Sequence, residues 1–394
     1  MKRTVSAAFV MLLISSLLFA VPSCEAESSE REVQLLCLNI GKADCMLLSC
    51  DGEFFLIDTG YVQTYPALET ALRQMGVDRL SGVFLTHCHK DHEGGLMPLA
   101  QSAVQVDAWY APRIYYDVKP DEHPMALAAA ARHQEVTWLD AGDVIQINDQ
   151  AAFTVLGPLS VNTENENNNS LVMRFSSPAG SILFCGDMKK DEADELLSAQ
   201  AFSPCDLLKV GHHGDGNTTS NKMLQIVRPK AAVILTSSQE EPDTPSFSTL
   251  SNLADIGCTV FVSQDTHDGI LLTLKNGNWE YTDYVFQDVP EKVTRLQLSI
   301  NMEQDILSIV NKSGGPLALS GCTLFSSKGN DLLALPDITL AEGAVYTVGS
   351  KNTSEATDLI WSKKRVWHES KRDVAVLYDA FGRPLACTDN GIPE

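Results

Sequence analysis

Three histidines and one aspartate fall within six consecutive residues of this chain: His87, His89, Asp91 and His92. They follow an apolar stretch of strand character, residues 83–86, and precede the pair Gly94-Gly95, after which a helix is predicted. Four such groups on one short loop can hardly avoid each other in a folded chain. Because imidazole suits zinc-like ions and carboxylate favours harder ones, the pattern indicates a site for one or two divalent metals.

Two later segments supply residues of the same chemical type. The apolar residues 181–185 lead into Asp187, and the apolar residues 207–210 lead into His212 and His213. Each segment delivers its polar residue at the carboxyl end of a predicted strand, where sheet-based sites collect side chains from several strands. Taken alone, each of these residues is as readily an ordinary turn or loop residue. Together with the first cluster, they predict one metal site built from three distant stretches.

The pattern of apolar residues from position 32 to position 284 predicts two runs of strands with helices outside them. Strands are predicted at 33–38, 45–48, 54–57, 83–86, 153–156, 171–175, 181–185, 206–210, 231–235, 259–262 and 270–274. Helices are predicted at 66–75, 191–199, 218–227 and 247–256. The sequence therefore favours a mixed α/β architecture over this region.

Several of these motifs resemble the metallo-β-lactamase fold, and within it the hydrolase domain of ComEC-type competence proteins. The resemblance rests on the HxHxDH loop and on five further stretches: residues 56–60 (LIDTG), 186–188 (GDM), 210–214 (VGHHG), 38–44 (LNIGKAD, similar to LDVGQGD) and 167–172 (NNNSLV, similar to NxNSLV). It covers residues 32–284. It implies an αββα sandwich with the metals at one edge.

Carried over residue by residue, the resemblance implies that His87 and His89 bind one metal and that Asp91, His92 and His212 bind the other, bridged by Asp187. The metal would be zinc or manganese, as one or two ions. Compared with the wider superfamily, residues 165–169 lack a third histidine, as the ComEC-type group also does; Glu166 or Asn167 would substitute for it, or the first metal site would be weak. Compared with the ComEC-type group, Asn39 replaces an aspartate and Thr244-Pro245-Ser246 replaces a His-Pro-His.

A metal site of this kind suits hydrolysis. A bound ion lowers the pKa of water from 15.7 to about 7, and a pair of ions stabilises both oxygens of an in-line displacement at phosphorus. We expect Asp91 or Asp187 to orient the nucleophile, a metal-bound hydroxide, and His213 to contact the phosphoryl oxygens or protonate the leaving group. A packing role for His213 is equally open. Asp44, Lys209, Thr218 and Thr219 are weaker candidates, each interpreted first as structural.

The leading functional hypothesis is an exported phosphodiesterase, with extracellular nucleic acid as the substrate. A different hydrolase on the same centre, such as a phosphorylcholine esterase or a lactonase, is the alternative, and a non-catalytic surface-binding protein is a third. The formal charge of −22 disfavours unaided binding to a polyanion. A nucleic acid would therefore be held mainly by the metal and by local lysines. No obligate protein partner is inferred.

The first 26 residues have the build of a secretory signal. Lys2 and Arg3 precede an apolar run from Val5 to Val21, and cleavage is predicted after Ala26. An uncleaved membrane anchor and lipid attachment at Cys24 are the alternatives, so any membrane contact would come through this segment. We expect a secreted or surface-associated protein. Nine cysteines follow Ala26, an odd number, and the sequence does not decide whether a bridge forms among Cys37, Cys45 and Cys50.

A second domain is predicted after a linker at residues 285–295. Residues 296–390 have short alternating strands, frequent turn signals and almost no helical pattern, which indicates a small all-β sandwich. The stretch resembles a lamin-tail domain, an immunoglobulin-like sandwich, although Cys322 stands where tryptophan is usual. Such a module would bind a cell-surface ligand or position the hydrolase, or it would only add stability.

Overall fold

Two sheets packed face to face form the centre of the structure, a computed structural model that describes residues 33–275, 278–293 and 295–393. The first sheet has eight strands. Their order across the sheet is Asn278–Tyr284, Gly269–Lys275, Val33–Leu38, Cys45–Cys50, Glu53–Thr59, Gly82–Phe84, Trp109–Pro112 and Val136–Leu139. The predicted signal, residues 1–26, lies outside the described residues.

The second sheet has seven strands, in the order Thr259–Val262, Ala231–Ile234, Leu207–Lys209, Ser181–Phe184, Val172–Ser176, Ala151–Gly157 and Val144–Asn148. Side chains from both sheets meet in a shared apolar layer, in which the rings of Phe55 and Phe84 contact that of Phe153. Arg79–Leu80 and Gln105–Val106 form a separate two-stranded parallel sheet.

Helices cover the outer face of each sheet. The segments Tyr65–Gln74, Leu96–Gln101 and Pro124–Ala131 pack on the first sheet, and Lys190–Ser198, Asn221–Val227 and Phe247–Asp255 pack on the second. One further helical turn, Lys90–Glu93, carries part of the histidine loop, and single 3₁₀ turns span Val62–Thr64, Pro120–Glu122, Glu166–Asn169, His212–Gly214 and Ser263–Asp265. The predicted αββα layering is confirmed.

The predicted elements differ from the observed ones chiefly at their ends. The helix predicted at 218–227 begins at Asn221, because the Ser220 hydroxyl accepts a hydrogen bond from the Met223 amide and caps the first turn. The strand predicted at 206–210 spans only Leu207–Lys209. The helices Leu96–Gln101 and Pro124–Ala131 lack bounds in the prediction, and so do the short strands Arg79–Leu80, Gln105–Val106, Trp109–Pro112, Val136–Leu139 and Val144–Asn148. These are short segments with weak periodicity.

Parallel pairing decides where polar residues gather. Ser181–Phe184 runs parallel to Leu207–Lys209 in the second sheet, and Glu53–Thr59 runs parallel to Gly82–Phe84 in the first. Neighbouring parallel strands end at the same edge of a sheet. The residues that follow these four strands therefore meet at one edge of the sandwich.

Residues 296–389 contain strands and no helix among their described positions. One sheet consists of Leu296–Asn301, Ile306–Asn311, Val345–Gly349 and Leu359–Ile360, and the other of Asp331–Ala334, Thr323–Ser326, Val374–Tyr378 and Pro384–Asp389. A two-stranded pair, Leu317–Ala318 with Thr339–Leu340, completes the region. Both larger sheets contribute to one core, so the predicted all-β sandwich is confirmed. Its likeness to a lamin tail stays a prediction.

The C-terminal β-sandwich and the αββα layers belong to one compact unit. The segment predicted as a linker packs against both, since Phe286 is buried and the Pro290 carbonyl accepts a hydrogen bond from Arg383. All nine cysteines among the described residues are free thiols, including Cys37, Cys45 and Cys50. None of the described helices combines the length and the apolar composition needed to cross a lipid bilayer.

Candidate metal centre

Four buried side chains converge at the edge of the sandwich: Asp91, His92, Asp187 and His213. One ligand atom from each lies within 4.8 Å of all the others. Asp187 is central, because its Oδ2 is 3.2 Å from His92 Nε2 and 3.3 Å from His213 Nε2. The Oδ2 of Asp91 is 3.3 Å from the same His213 nitrogen. Two imidazoles and two carboxylates are thus placed around one point.

The local backbone explains why these side chains face one another. His212 and His213 both have positive φ angles, 45° and 54°, and Asp58 has a φ of 56°. Non-glycine residues adopt this left-handed region at a cost, and such residues cluster where a fold must aim a side chain. The turn His212–Gly214 begins three residues after the strand Leu207–Lys209 ends. It directs His213, rather than His212, into the group.

Asp58 orients His92. The Nδ1 of His92 donates to Asp58 Oδ2 at 2.8 Å, while the Thr86 amide and hydroxyl donate to the two oxygens of the same carboxylate, each at 2.7 Å. With Nδ1 carrying the hydrogen, Nε2 is the nitrogen that faces the group. A carboxylate that fixes a histidine in this way is the usual partner behind a metal-binding imidazole.

His213 is oriented by the backbone. Its Nδ1 donates to the Leu235 carbonyl at 2.8 Å, and a carbonyl oxygen can only accept a hydrogen bond. The Nε2 of His213 therefore faces the two carboxylates and is available as a ligand. The sequence predicts substrate contact or packing for His213, whereas the structure brings it into the same group as Asp91, His92 and Asp187.

The structure does not bring His212 into that group. Its Nδ1 pairs with Asp215 at 3.0 Å, and Asp215 also contacts the Lys189 ammonium at 3.4 Å. His212 thus belongs to a charged cluster on the rim of the site. Its assignment as a metal ligand remains a prediction that this geometry does not favour.

His87 and His89 lie beside the group. The Nε2 of His87 is 3.0 Å from His89 Nδ1 and 3.9 Å from Asp187 Oδ2. Burial holds the pKa of His87 well below its usual range, which leaves its imidazole neutral and able to bind a metal. This pair fits the second ligand set expected from the sequence, with Asp187 between the two sets.

Each of the two residues predicted to replace the missing third histidine has one buried oxygen to offer. The Oε2 of Glu166 accepts hydrogen bonds from the Tyr116 amide and from Asn169, each at 2.8 Å. The Oε1 of Glu166 and the Oδ1 of Asn167 are both buried and have no hydrogen-bond partner among the described residues. Both residues therefore stay candidates for the missing ligand.

Opposite charges hold the group together. Burial by itself raises a carboxyl pKa, yet the pKa values of Asp91 and Asp187 both lie well below their usual range because His92 and His213 are adjacent and because, for Asp91, the Lys42 ammonium is also close. In return, these carboxylates outweigh burial and hold the pKa of His92 well above its usual value and that of His213 at about 9. A divalent ion must therefore displace protons when it binds.

A buried ion pair supports the group from behind. Lys209 is fully buried against Asp44, and its ammonium donates to the Gly186 carbonyl at 3.2 Å, next to Asp187. The Asp187 amide donates to the Ser170 hydroxyl at 3.0 Å. Asp44 and Lys209, weak candidates from sequence, thus position the loop that carries Asp187. Thr218 and Thr219 pack beside the His212 turn, where the Thr218 hydroxyl donates to the Asp215 carbonyl.

Two residues at this edge have roles that the sequence pattern does not predict. Asp58 belongs to the LIDTG motif, and its place at the end of an apolar strand is the same signal that identifies Asp187. The Lys42 ammonium is 3.6 Å from Asp91 Oδ2. Nothing in its local pattern distinguishes it from a surface lysine.

The donor set fits a divalent metal. The Nε2 atoms of His92 and His213 and the Oδ1 of Asp187 are buried without hydrogen-bond partners among the described residues. Buried polar atoms are normally satisfied, and a bound ion is one of the few groups that would satisfy several at once. Neutral imidazoles with carboxylates suit zinc or manganese.

The comparisons with known proteins agree with this centre. The model of the metallo-beta-lactamase superfamily matches residues 39–238, half of the chain, including every residue of the candidate group. The chain belongs to the metallo-beta-lactamase superfamily. Together with the candidate ligand group, superfamily membership supports a metal-dependent hydrolase. The prediction of divalent metal as the cofactor is confirmed at that level.

Three curated relatives bear out the predicted ComEC-type subgroup of the superfamily. ComE operon protein 3 of Bacillus subtilis is 29% identical over 236 residues, which are 55% of this chain and 29% of that protein. Recombination protein 2 of Haemophilus influenzae is 26% identical over 55% of this chain and 26% of its own length. Competence protein ComA of Neisseria gonorrhoeae is 25% identical over 52% and 27%. The chain spans less than a third of each relative.

The similar solved structures have lower sequence identity. A putative metal-dependent hydrolase from Parabacteroides distasonis has 15% identity and a TM-score of 0.38, over 58% of this chain and 92% of its own. A diphosphatase from the PhnP family has 15% identity and a TM-score of 0.36, over 61% and 97%.

Proposed function

We propose that this chain is a metal-dependent phosphodiesterase that acts on extracellular nucleic acid. The observation that carries the proposal is the convergence of Asp91, His92, Asp187 and His213 within 4.8 Å, with His87 and His89 beside them. Asp187 lies between the two histidine sets, which is the place of a residue shared by two ions. A two-ion site is the arrangement best suited to displacement at phosphorus.

The chain's own residues have distinct tasks in this proposal. His92, Asp91 and His213 would hold one ion, His87 and His89 would hold another, and Asp187 would serve both. When bound, the metal supplies Lewis acidity toward a phosphoryl oxygen and toward water. Asp58 and the Leu235 carbonyl fix the two imidazoles, and the Asp44–Lys209 pair fixes the Asp187 loop. Asp91, at the more open side of the group, would orient the attacking water.

Nucleic acid is the proposed polymer for two reasons. The names of the relatives, competence and recombination proteins, refer to processes that handle DNA, and these relatives match just over half of this chain. The sequence of residues 1–26 favours export, so the DNA would be met outside the cell or at its surface. Because the chain carries a charge of −22, the metal and nearby lysines would supply the attraction.

The test is hydrolysis by the purified protein supplied with manganese or with zinc. Bis-p-nitrophenyl phosphate, DNA, RNA, a phosphocholine-bearing polymer and a lactone are offered in parallel. We expect cleavage of the phosphodiester and of at least one nucleic acid, and loss of both in Asp187→Ala. Asp149→Ala, an exposed aspartate in the turn after the strand Val144–Asn148, is the matched control and should keep full activity.

Three outcomes would count against the proposal. Cleavage of the lactone alone, or of the phosphocholine polymer alone, would show that the proposed substrate class is wrong. The proposed metal centre would still stand. A protein that takes up no metal and cleaves nothing would indicate a binding protein instead. Activity that survives Asp187→Ala would show that the chemistry lies elsewhere in the chain.

A further inference from the structure

Lys42 lies at the open side of the candidate group. Its Nζ is 3.6 Å from Asp91 Oδ2 and 3.9 Å from Glu241 Oε2, and its side chain keeps 20% of its surface exposed. The residue occupies the place of glutamine in the LDVGQGD motif that residues 38–44 resemble. A fixed positive charge therefore stands beside the metal group where the motif has a neutral side chain.

The backbone at Lys42 is held in place. Its amide donates to Glu240 Oε2 at 3.3 Å. The preceding residue, Gly41, has a φ of +89°, and a Cβ added there would lie 2.2 Å from Glu240 Oε1. Because Gly41 and Lys42 both contact Glu240, the backbone at Lys42 is fixed in position. The lysine side chain extends from there toward Asp91.

The Lys42 ammonium still has hydrogens to donate. Charge-assisted hydrogen bonds between ammonium and carboxylate groups measure about 2.7–2.9 Å. Both carboxylate contacts of Lys42 are longer than that, and neither is a direct hydrogen bond. The ammonium is thus attracted to Asp91 and Glu241 but can turn toward an anion that arrives from solvent.

Two other lysines near the group are placed differently. Lys209 is fully buried and paired with Asp44, so solvent does not reach it. Lys189 lies on the rim, where it contacts Asp215 beside His212. Of these three lysines, Lys42 is the one that contacts Asp91, so it is the one placed to meet a substrate anion at the Asp91 side.

We propose that Lys42 binds a non-bridging oxygen of the phosphodiester substrate and so confers preference for anionic over neutral esters. This rests on the proposed phosphodiesterase function and extends it to specificity. The lysine forms no covalent bond and transfers no proton in this role. It is a substrate-binding residue that supplies a positive charge fixed to the protein.

Four proteins test the proposal: wild type, Lys42→Gln, Lys42→Arg and Lys222→Gln. Lys222→Gln removes the same charge from an exposed position on the helix Asn221–Val227. Each protein is loaded with manganese, its metal content is measured, and inorganic phosphate binding is followed by calorimetry. Steady-state kinetics are then measured on bis-p-nitrophenyl phosphate and on the neutral ester p-nitrophenyl acetate.

We expect Lys42→Gln to weaken phosphate binding and to raise KM for the phosphodiester by about 10- to 100-fold, the range for loss of one hydrogen bond to a charged group. Its metal content and its kinetics on any neutral ester that wild type cleaves should stay unchanged. Lys42→Arg should recover much of the phosphate affinity, and Lys222→Gln should match wild type.

Other results would overturn the proposal. If Lys42→Gln loses metal, the lysine serves Asp91 and not the substrate. If wild type cleaves the phosphodiester and Lys42→Gln does so with the same KM, the specificity role fails while the phosphodiesterase function stands. If wild type binds phosphate through Lys42 but cleaves no phosphodiester, the anion site stands and the phosphodiesterase function fails.

Discussion

Arg372, in the β-sandwich, donates from Nη1 to the main-chain oxygen of Glu240 at 2.7 Å. The side chain of Glu240 in turn accepts from the Lys42 amide, one residue of the loop beside Asp91. A second contact joins the Arg383 guanidinium to the Pro290 carbonyl, and the rings of Tyr61 and Phe325 lie 5.2 Å apart. The C-terminal sandwich is therefore connected through one glutamate to the edge of the metal group.

Replacing Arg372 tests that connection. Arg372→Ala removes the hydrogen bond to Glu240 and the pairing with Asp389, so we expect the free energy of unfolding to fall by about 1–3 kcal/mol. Urea denaturation followed by tryptophan fluorescence measures the change. Lys371→Ala, at the exposed neighbouring residue, should stay within about 0.5 kcal/mol of wild type. Equal effects of both substitutions would show that Arg372 anchors nothing.

The two adjacent histidines can be told apart by metal affinity. His213→Ala removes an imidazole that faces Asp91 and Asp187, so the affinity for zinc or manganese should fall by more than the about 10- to 100-fold expected for an outer-sphere change. His212→Ala should have a smaller effect, because that ring pairs with Asp215. Competition with a chromophoric chelator gives both dissociation constants. A larger loss in His212→Ala would restore the ligand assignment made from sequence.

Glu240 should make stability depend on pH. Burial raises its pKa from 4.5 to about 7, although Lys42 acts in the opposite direction. Between these two pH values the folded chain binds more protons at this residue than the unfolded chain does, so stability falls as the pH rises through the window. The glutamine in Glu240→Gln stays neutral at every pH. Its free energy of unfolding, relative to that of wild type, should therefore rise by up to about 3 kcal/mol as the pH increases from 4.5 to above 7.

Denaturation of metal-free wild type and Glu240→Gln at a series of pH values measures this difference. The test is how the difference in the free energy of unfolding between the two proteins changes with pH. The stability at any one pH is not the test, because other groups titrate in both proteins. A difference that stays constant across the window would contradict the argument.

The core between the sheets offers a matched pair of phenylalanines. Phe153 is fully buried, with Phe55, Phe84 and Phe175 around it, so Phe153→Ala should cost about 3–5 kcal/mol. Phe247 is 86% exposed at the start of its helix, and Phe247→Ala should change stability by no more than about 0.5 kcal/mol. Thermal unfolding of both variants checks the contrast. Similar costs at the two positions would mean that the sheets do not share this core.

Most of the layered fold could be predicted from sequence because long apolar segments signal their own burial. The strands at 33–38, 181–185 and 231–235 are examples that the structure places within a residue of the prediction. Most elements between residues 79 and 148 are too short for that signal, and the helix Pro124–Ala131 is apolar at every position and so shows no periodic pattern. The candidate site divides in the same way: Asp91, His92 and Asp187 stand in dense or strand-end patterns, whereas Lys42 and Glu240 meet only in three dimensions.

The residue types and their spacing are enough to predict the chemistry, since a loop with His87, His89, Asp91 and His92 after a strand brings metal ligands together through local chain geometry alone. The spacing of apolar residues likewise predicts two runs of strands with helices outside them, and the resemblance to a known family implies the αββα order of the layers. Which of His212 and His213 faces the group depends on the folded chain, because both lie in a left-handed turn and their Nδ1 atoms pair with different partners, the Leu235 carbonyl for His213 and Asp215 for His212. The same holds for Lys42, whose role depends on residues far from it in the chain.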